Sequence, residues 1–199
     1  DLDPAAMADA YVRGGASCLS VLTDADFFGG SHDDLRAARG ATGVPVLRKD
    51  FTVAIADVCD ARIMGADAVL LIVAALDDAE LADLHALAAE LGLAALVETH
   101  DETEVMRALA VGASLIGVNQ RDLVSFEVDT DRAVRVVAAI PEAVVRVAES
   151  GISGADDAQR LADAGYDAAL VGETVVTAPD PAAAVASLRM VSRSGRRTS

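Results

Sequence analysis

The sequence predicts an α/β fold of the TIM (β/α)8-barrel type, with seven of the eight strands visible in this chain. Short apolar runs without helical period alternate with amphipathic segments, which is typical of parallel strands covered by helices. The strands begin about every 25 residues, and such a regular period indicates a repeated unit. A glycine that ends a helix and is followed by an apolar strand recurs at 65–71, 112–117 and 165–171. An open, doubly wound sheet of seven strands is the alternative.

Length and composition favour one domain. The chain has 199 residues, of which 53% are hydrophobic, and no Pro/Gly/Ser-rich linker divides it. A complete barrel of this type takes about 250 residues. The difference fits one missing strand with its lead-in, so we expect residues 1–199 to form a single barrel domain that is truncated at its N-terminus.

The individual elements are predicted from caps, stop signals and periodicity. In the first helix, Asp3 can cap, Pro4 occupies the first helical position and Gly14 with Gly15 ends it. The apolar runs predict strands at 18–22, 45–47, 68–73, 94–97, 114–118, 143–148 and 168–171. The segments between them predict helices at about 31–41, 53–64, 77–91, 101–111, 129–139 and 154–164, with a last helix from about residue 181.

The acidic composition limits the classes of partner. The net charge is −16, and the acidic residues are spread along the chain, which argues against nucleic acid and anionic membranes. Only 3% of residues are aromatic, which further weakens a base-stacking role. The apolar runs are too short to span a bilayer, and the first residues lack the features of a signal peptide. We therefore expect a cytoplasmic protein, whose acidity reflects either adaptation to salt or a GC-rich genome.

The cysteines and histidines predict no metal site. Cys18 and Cys59 lack metal-type spacing, so we expect buried free thiols. The three histidines, His32, His85 and His100, also lack ligand spacing and are expected to have ordinary surface roles. No metal or other cofactor is expected.

Polar residues at the ends of the predicted strands form the candidate site. The chemistry of a parallel barrel lies at the carboxyl ends of its strands, where this sequence places Lys49, Glu98, Asn119, Arg121 and Glu149. Lys49 is the only lysine among 16 basic residues. Burial can lower the pKa of an amine towards neutrality, so that the amine can give up a proton, whereas a guanidinium stays protonated. The pattern predicts Lys49 as an acid with Glu98 as its partner, although a surface lysine in a loop is the alternative.

Glycines after the last two strands predict a phosphate site. Ser150 with Gly151 and Gly172 with Glu173 follow the strands that correspond to the seventh and eighth of a barrel. Backbone N–H groups and a short helix bind phosphate at this place in many barrels. Gly172 is also compatible with a simple turn. The residues together predict acid–base chemistry on a phosphorylated small molecule.

Five segments resemble the indole-3-glycerol-phosphate synthase family of tryptophan biosynthesis. They are residues 22–31, 44–51 with Arg-Lys-Asp-Phe, 96–100, 116–123 with Asn-x-Arg-Asp-Leu, and 148–152. The resemblance implies a (β/α)8 barrel and a carboxy-lyase without a cofactor. Its reaction would close the indole ring of 1-(2-carboxyphenylamino)-1-deoxyribulose 5-phosphate with loss of CO2 and water. Other enzymes of the tryptophan pathway are then candidate partners.

The resemblance also implies roles for single residues. Lys49 resembles the general acid of the family and Glu98 its acid–base partner, while Asn119 and Glu149 position the substrate. The other matched positions are Arg121 and Ser150 for substrate binding, Gly151 and Gly172 for phosphate, and Asp122 in the Asn-x-Arg-Asp pattern. Gln120 replaces the asparagine that is common after Asn119, a mild change beside the site.

One departure from the family concerns the first strand. The family carries there a Glu-x-Lys pair followed by Ser-Pro-Ser, and this sequence begins after that strand. We therefore expect residues 1–199 alone to turn over poorly or not at all. Two other functions stay open from the sequence: a non-catalytic barrel fragment that docks or self-assembles through its open edges, and a different phosphate-binding barrel such as an isomerase of the same pathway.

Overall fold

The computed structural model describes residues 2–121 and 127–189. The strands are β1 (Leu19–Leu22), β2 (Val46–Lys49), β3 (Ala68–Ile72), β4 (Ala94–Thr99), β5 (Leu115–Asn119), β6 (Val145–Glu149) and β7 (Ala168–Leu170). The helices are α1 (Pro4–Gly14), α2 (Ala25–Phe28), α3 (His32–Ala41), α4 (Ile55–Met64), α5 (Asp78–Glu90), α6 (Glu102–Ala110), α7 (Arg132–Val136), α8 (Ala155–Ala164), α9 (Glu173–Val176) and α10 (Pro181–Arg189).

The order of the strands decides between the two predicted architectures. All seven are parallel, and each pairs with the next along the chain, from β1 to β7. In a doubly wound sheet the order reverses at a switch point. Here the order is sequential. Right-handed crossovers between sequential parallel strands put every helix on the same face of the sheet, and the sheet curls. The structure is a partial (β/α) barrel, as predicted.

The first helix has the predicted cap, and α5 has a capping box. The Asp3 carboxylate accepts hydrogen bonds from the backbone N–H groups of Ala5 and Ala6, and Gly15 ends α1 at a φ of 94°. At α5, Asp77 and Glu80 each accept from the other's backbone N–H, which forms a capping box. These local signals fix where α1 and α5 begin.

The strands separate two apolar clusters because successive side chains point to opposite faces of the sheet. In β3, Val69 and Leu71 pack in the large cluster between the sheet and the helices. Leu70 and Ile72 belong to a smaller cluster on the other face, with Leu47, Leu96 and Val147 of neighbouring strands. This smaller cluster fills the inside of the barrel and supports the strand ends above it.

The layer of helices continues where the sheet stops. Within the part of the chain that the structure describes, β1 and β7 each pair on one side only. Nevertheless α1 packs against both α3 and α10, so the first and last helices are in contact. A Cβ on Gly14 would lie 2.5 Å from the Ala182 carbonyl oxygen and 2.8 Å from Val185 Cβ. A glycine at this position lets the two helices approach closely.

Several sequence predictions needed correction at this level. The thiols are not buried: Cys18 is exposed, since β1 begins one residue after it, and Cys59 is half-buried on α4. The helix predicted at 129–139 is α7 followed by a turn of 3-10 helix at Val137–Ala139. Across 2–121 and 127–189, no helix is both long and apolar enough to cross a membrane.

The contact between α1 and α10 predicts opposite effects of alanine at two helical glycines. Gly14→Ala should lower the free energy of unfolding, because the new methyl group meets the α10 backbone. Gly40→Ala in α3 should raise it by about 0.5–1 kcal/mol, because nothing lies within 4 Å of that position. Urea denaturation followed by circular dichroism would measure both. Equal stabilisation by the two substitutions would contradict the packing of α1 on α10.

Candidate active site

The predicted polar residues of β2, β4, β5 and β6 lie together because side chains along each strand point alternately to the two faces of the sheet. Glu98 in β4 lies two residues beyond Leu96 of the inner cluster, and Glu149 in β6 lies two beyond Val147. Because the side-chain period of a strand is two, these carboxylates face the inside of the barrel above its apolar filling. Lys49 of β2 and Asn119 of β5 occupy the corresponding positions at their strand ends.

Glu98 contacts both Lys49 and Asn119. Its side chain is 1% exposed, and its Oε2 lies 3.6 Å from Nζ of Lys49, whose side chain is 24% exposed. The Asn119 amide donates a hydrogen bond of 3.0 Å to Glu98 Oε1. A partly exposed amine is therefore paired with a buried carboxylate whose orientation is fixed by Asn119. This geometry suits proton transfer to a molecule that enters from the strand ends.

Glu149 is a second buried carboxyl group in the same cluster. Burial first, and then the charge of Glu98, raise the pKa of Glu149 from 4.5 to about 8, although the Lys49 ammonium opposes this rise. Two adjacent buried carboxylates rarely ionise together. Glu149 is therefore mostly protonated at neutral pH and can act as a proton donor.

Gly117 makes room for this carboxyl group. It lies in β5, beside Glu149, and a Cβ at this position would overlap Glu149 Oε1. It would also come within 3.3 Å of Leu96 Cδ1. The absence of a side chain in the centre of a strand thus has a local cause, which is the close approach of a side chain from β6.

A buried polar network holds the end of β2 from the other face of the sheet. Arg48 is 5% exposed and donates hydrogen bonds to Asp50 Oδ2 (2.7 Å), the Asp57 carbonyl oxygen (2.7 Å) and Thr23 Oγ1 (3.2 Å). Thr23 in turn donates to Asp50 Oδ2 at 2.5 Å. The network ties the loops after β1 and β2 to α4 and so fixes the backbone that carries Lys49.

Three phenylalanines form an exposed cluster on the segments that follow β1 and β2. Phe51 follows β2, and its ring centroid lies 5.5 Å from that of Phe27 and 5.8 Å from that of Phe28, both in α2. Their exposures are 38%, 75% and 46%, respectively. Large exposed apolar side chains that lie together beside a polar site are suited to contact an aromatic or apolar part of a ligand.

The loop after β6 has an unusual backbone. Ser150 and Gly151 both adopt left-handed conformations, with φ of 65° and 68°. A side chain on Gly151 would also meet Val128 Cγ1 at 2.5 Å, so glycine is required there. The buried Gln120 side chain donates a 2.7 Å hydrogen bond to the Ser150 carbonyl oxygen and holds this turn.

The remaining predicted residues lie near these elements. The Arg121 backbone N–H donates to Asn119 Oδ1 at 2.9 Å, and its guanidinium lies 4.0 Å from the exposed Glu173 carboxylate. Gly172 directly precedes α9, and nothing lies within 4 Å of its missing side chain. Asp122, the last residue of the Asn-x-Arg-Asp pattern, lies outside the described residues.

The expected surface role of the histidines is wrong for His100. Its side chain is 13% exposed and lies between the carboxylates of Glu98 and Glu104. His85 is half-buried on α5, and burial lowers its pKa. His32 is exposed at the start of α3. The position of His100, two residues after Glu98 at the end of the same strand, was the signal that could have indicated a place in the site.

A barrel with an amine, two carboxyl groups and an amide at its strand ends has the arrangement of a barrel enzyme that performs acid–base chemistry. A family model described as indole-3-glycerol phosphate synthase matches residues 1–188, and the chain belongs to that family.

Individual relatives support this assignment. The indole-3-glycerol phosphate synthase of Laribacter hongkongensis is 52% identical over 189 residues, which are 94% of this chain and 72% of the relative. That of a Nocardioides species is 53% identical over 183 residues, covering 92% and 70%. Among solved structures, thiamine phosphate pyrophosphorylase from Pyrococcus furiosus is similar, with a TM-score of 0.73 and 18% identity over 94% of this chain and 87% of that one. At this identity the last similarity concerns the fold alone.

The buried carboxyl group of Glu149 predicts a pH-dependent stability. Between its unfolded value of 4.5 and its folded value of about 8, the folded chain holds a proton that the unfolded chain lacks. The free energy of unfolding should therefore fall as pH rises through this range, by up to about 1.4 kcal/mol per pH unit from this group. Glu149→Gln should remove that slope in urea denaturation between pH 5 and pH 8.

The matched control is Glu142→Gln, which removes an exposed carboxyl group just before the same strand. It should leave the pH dependence of the wild-type chain unchanged. Parallel curves for the wild-type and Glu149→Gln chains would show that Glu149 ionises normally in the folded protein.

Proposed function

We propose that this barrel closes the indole ring of 1-(2-carboxyphenylamino)-1-deoxyribulose 5-phosphate and releases CO2 and water. Membership of the family supports the activity. The observation that carries the assignment of residues is the pair of Lys49 Nζ and Glu98 Oε2, 3.6 Å apart at the strand ends. A docking fragment does not explain why the barrel would bury two carboxyl groups beside its only lysine, and the family match favours this reaction over an isomerisation.

Lys49 acts as the general acid in this proposal. Ring closure joins the aromatic carbon that bears the carboxylate to the ketone carbon of the sugar chain, and the ketone oxygen then needs a proton. Loss of CO2 restores the aromatic ring. A second proton on the same oxygen lets it leave as water. Lys49, which is partly exposed towards the strand ends, can deliver both protons if it is recharged between the steps.

Glu98 acts as the base. The double bond of the indole forms when a proton leaves the carbon next to the one that loses water. Glu98 can accept this proton at Oε2 and return it to Lys49, because that oxygen faces the ammonium. One further proton comes from solvent, so that two protons reach the oxygen and one leaves carbon. Asn119, which donates to Glu98 Oε1, and the protonated Glu149 orient the substrate.

Binding of the phosphate and of the rest of the substrate is assigned to the loops after β5, β6 and β7. The left-handed turn at Ser150 and Gly151 presents its backbone beside the site, and Gly172 leaves open space before α9. Arg121 lies on the loop after β5, and its guanidinium charge suits the anionic part of the substrate. The phenylalanines after β1 and β2 offer an apolar surface to the arylamine ring.

We also propose that one further parallel strand belongs between β7 and β1. The edges of both strands are unpaired on one side within the described part of the chain. Because α1 and α10 are in contact, the helix layer is continuous at this place and would cover such a strand. By resemblance to the family, this strand would carry the Glu-x-Lys pair, which includes the second essential lysine of the family. An enzyme of this pathway would work in the cytoplasm, with other tryptophan-pathway enzymes as candidate partners.

The proposal predicts the activity of three chains. Residues 1–199 alone should form little or no indoleglycerol phosphate, because part of the site would lie on the added strand. The same chain extended by a Glu-x-Lys strand should form the product and release CO2. Lys49→Ala in the extended chain should lower kcat by roughly 10²- to 10⁴-fold, the usual contribution of acid–base catalysis.

Lys49→Arg is the matched control for charge, since it keeps the cation but cannot release a proton at neutral pH, and it should be as inactive as Lys49→Ala. Circular dichroism should show that both variants remain folded. Full activity of Lys49→Ala would refute the assignment of the acid, and efficient turnover by residues 1–199 alone would refute the need for another strand. Isomerisation without CO2 release would indicate a different barrel enzyme.

A further inference from the structure

His100 and Glu104 form a second layer behind Glu98. Glu104, in the first turn of α6, accepts a 2.7 Å hydrogen bond from the His100 backbone N–H. The same oxygen, Oε2, lies 3.0 Å from Nδ1 of the His100 ring. On the other side of the ring, Nε2 lies 3.7 Å from Glu98 Oε1. The ring therefore bridges a carboxylate on the helix and the proposed catalytic base.

The contact with Glu104 determines where the ring carries its first proton. An ionised carboxylate can only accept hydrogen bonds, so Nδ1 must be the donor. In the neutral ring this leaves a lone pair on Nε2. That atom is buried and has no hydrogen-bond partner among the described residues, and neither has Glu98 Oε2. A lone pair that faces an ionised carboxylate is unfavourable, and a proton between the two atoms removes the conflict.

The start of α6 explains only part of this arrangement. The helix is already capped by Asp101, whose carboxylate accepts a 2.8 Å hydrogen bond from the Glu104 backbone N–H. Glu104 also accepts from the His100 backbone N–H, as an N3 residue does in a capping box, but that role does not require its contact with the His100 ring. The charged groups paired with the ring in the described structure are Glu98 from β4 and Glu104 from α6. Lys49 lies on the far side of Glu98.

We propose that His100 is a positioning residue that acts through Glu98. Glu104 fixes the ring through Nδ1, and the Nε2 edge of the ring, 3.7 Å from Glu98 Oε1, then restricts where that oxygen can lie. Together with the Asn119 amide, this anchors Oε1 and leaves Oε2 as the oxygen that faces Lys49 and the substrate. The inference rests on the proposed function in assigning Glu98 as the base, but the state of the ring is independent of turnover.

Long-range ¹H–¹⁵N spectra of the three histidines test the state of the ring in the 199-residue chain without any assay of activity. His32→Gln and His85→Gln assign the signals. Neutral His100 should show its proton on Nδ1, and Glu104→Ala should abolish this preference. Glu102→Ala, which removes an exposed carboxylate from the same turn of α6, should preserve it. Glu98→Gln should move the Nε2 resonance.

A neutral His100 with its proton on Nε2, or an Nε2 resonance that ignores Glu98→Gln, would overturn the proposal. Either result would leave the proposed reaction intact, because that depends on Lys49 and Glu98. Conversely, loss of the Lys49 assignment would not change the spectra. The two claims therefore fail separately.

The consequence for catalysis is tested in the extended chain. His100→Gln should lower kcat by roughly 10-fold, by analogy with the loss caused by removing a partner that orients a metal ligand, and should leave KM nearly unchanged. His85→Gln, which changes a half-buried histidine within α5, should have no effect. An unchanged kcat for His100→Gln would show that the ring does not act on Glu98.

Discussion

The structure depends on the burial of two carboxyl groups beside a single ammonium ion. Glu98 and Glu149 are each 1% exposed, and they share the inside of the barrel with Lys49. Two buried negative charges so close together are unfavourable, whereas one charge paired with an ammonium and one protonated carboxyl group can coexist. The proton on Glu149 and the Lys49 cation together compensate the negative charge of the two carboxyl groups. Acid–base chemistry requires the same groups.

The barrel produces this cluster with little irregular structure. The period of two along a strand places an apolar residue in the inner filling and a polar residue one step further, at the strand end. Leu96 and Glu98 illustrate this in β4. On the opposite face of the same strand, Thr99 donates a buried 2.8 Å hydrogen bond to the Gly117 carbonyl oxygen and links β4 to β5. The scaffold and the site are thus built from alternate residues of the same segments.

The sequence predicted the parts that follow from periodicity. Apolar runs and glycine stops identified the strands, and the rule that barrel sites lie at carboxyl ends then selected Lys49, Glu98, Asn119 and Glu149. It did not reveal interactions that join separate segments. The Arg48 network depends on Thr23, and the fit of Gly117 depends on a side chain from β6. His100 was misjudged because its position before a helix resembles an ordinary surface position.

The central claim is that Lys49, Glu98 and Glu149 form one electrostatic unit. Carbon-13 NMR of the labelled Glu149 carboxyl group, titrated in the wild-type and Lys49→Met chains, tests it most directly. We expect a midpoint about 8 in the wild-type chain and a higher midpoint in Lys49→Met, because the ammonium stabilises the ionised form of Glu149. A midpoint about 4.5, the ordinary value for this group, or one that does not respond to the loss of Lys49, would contradict it.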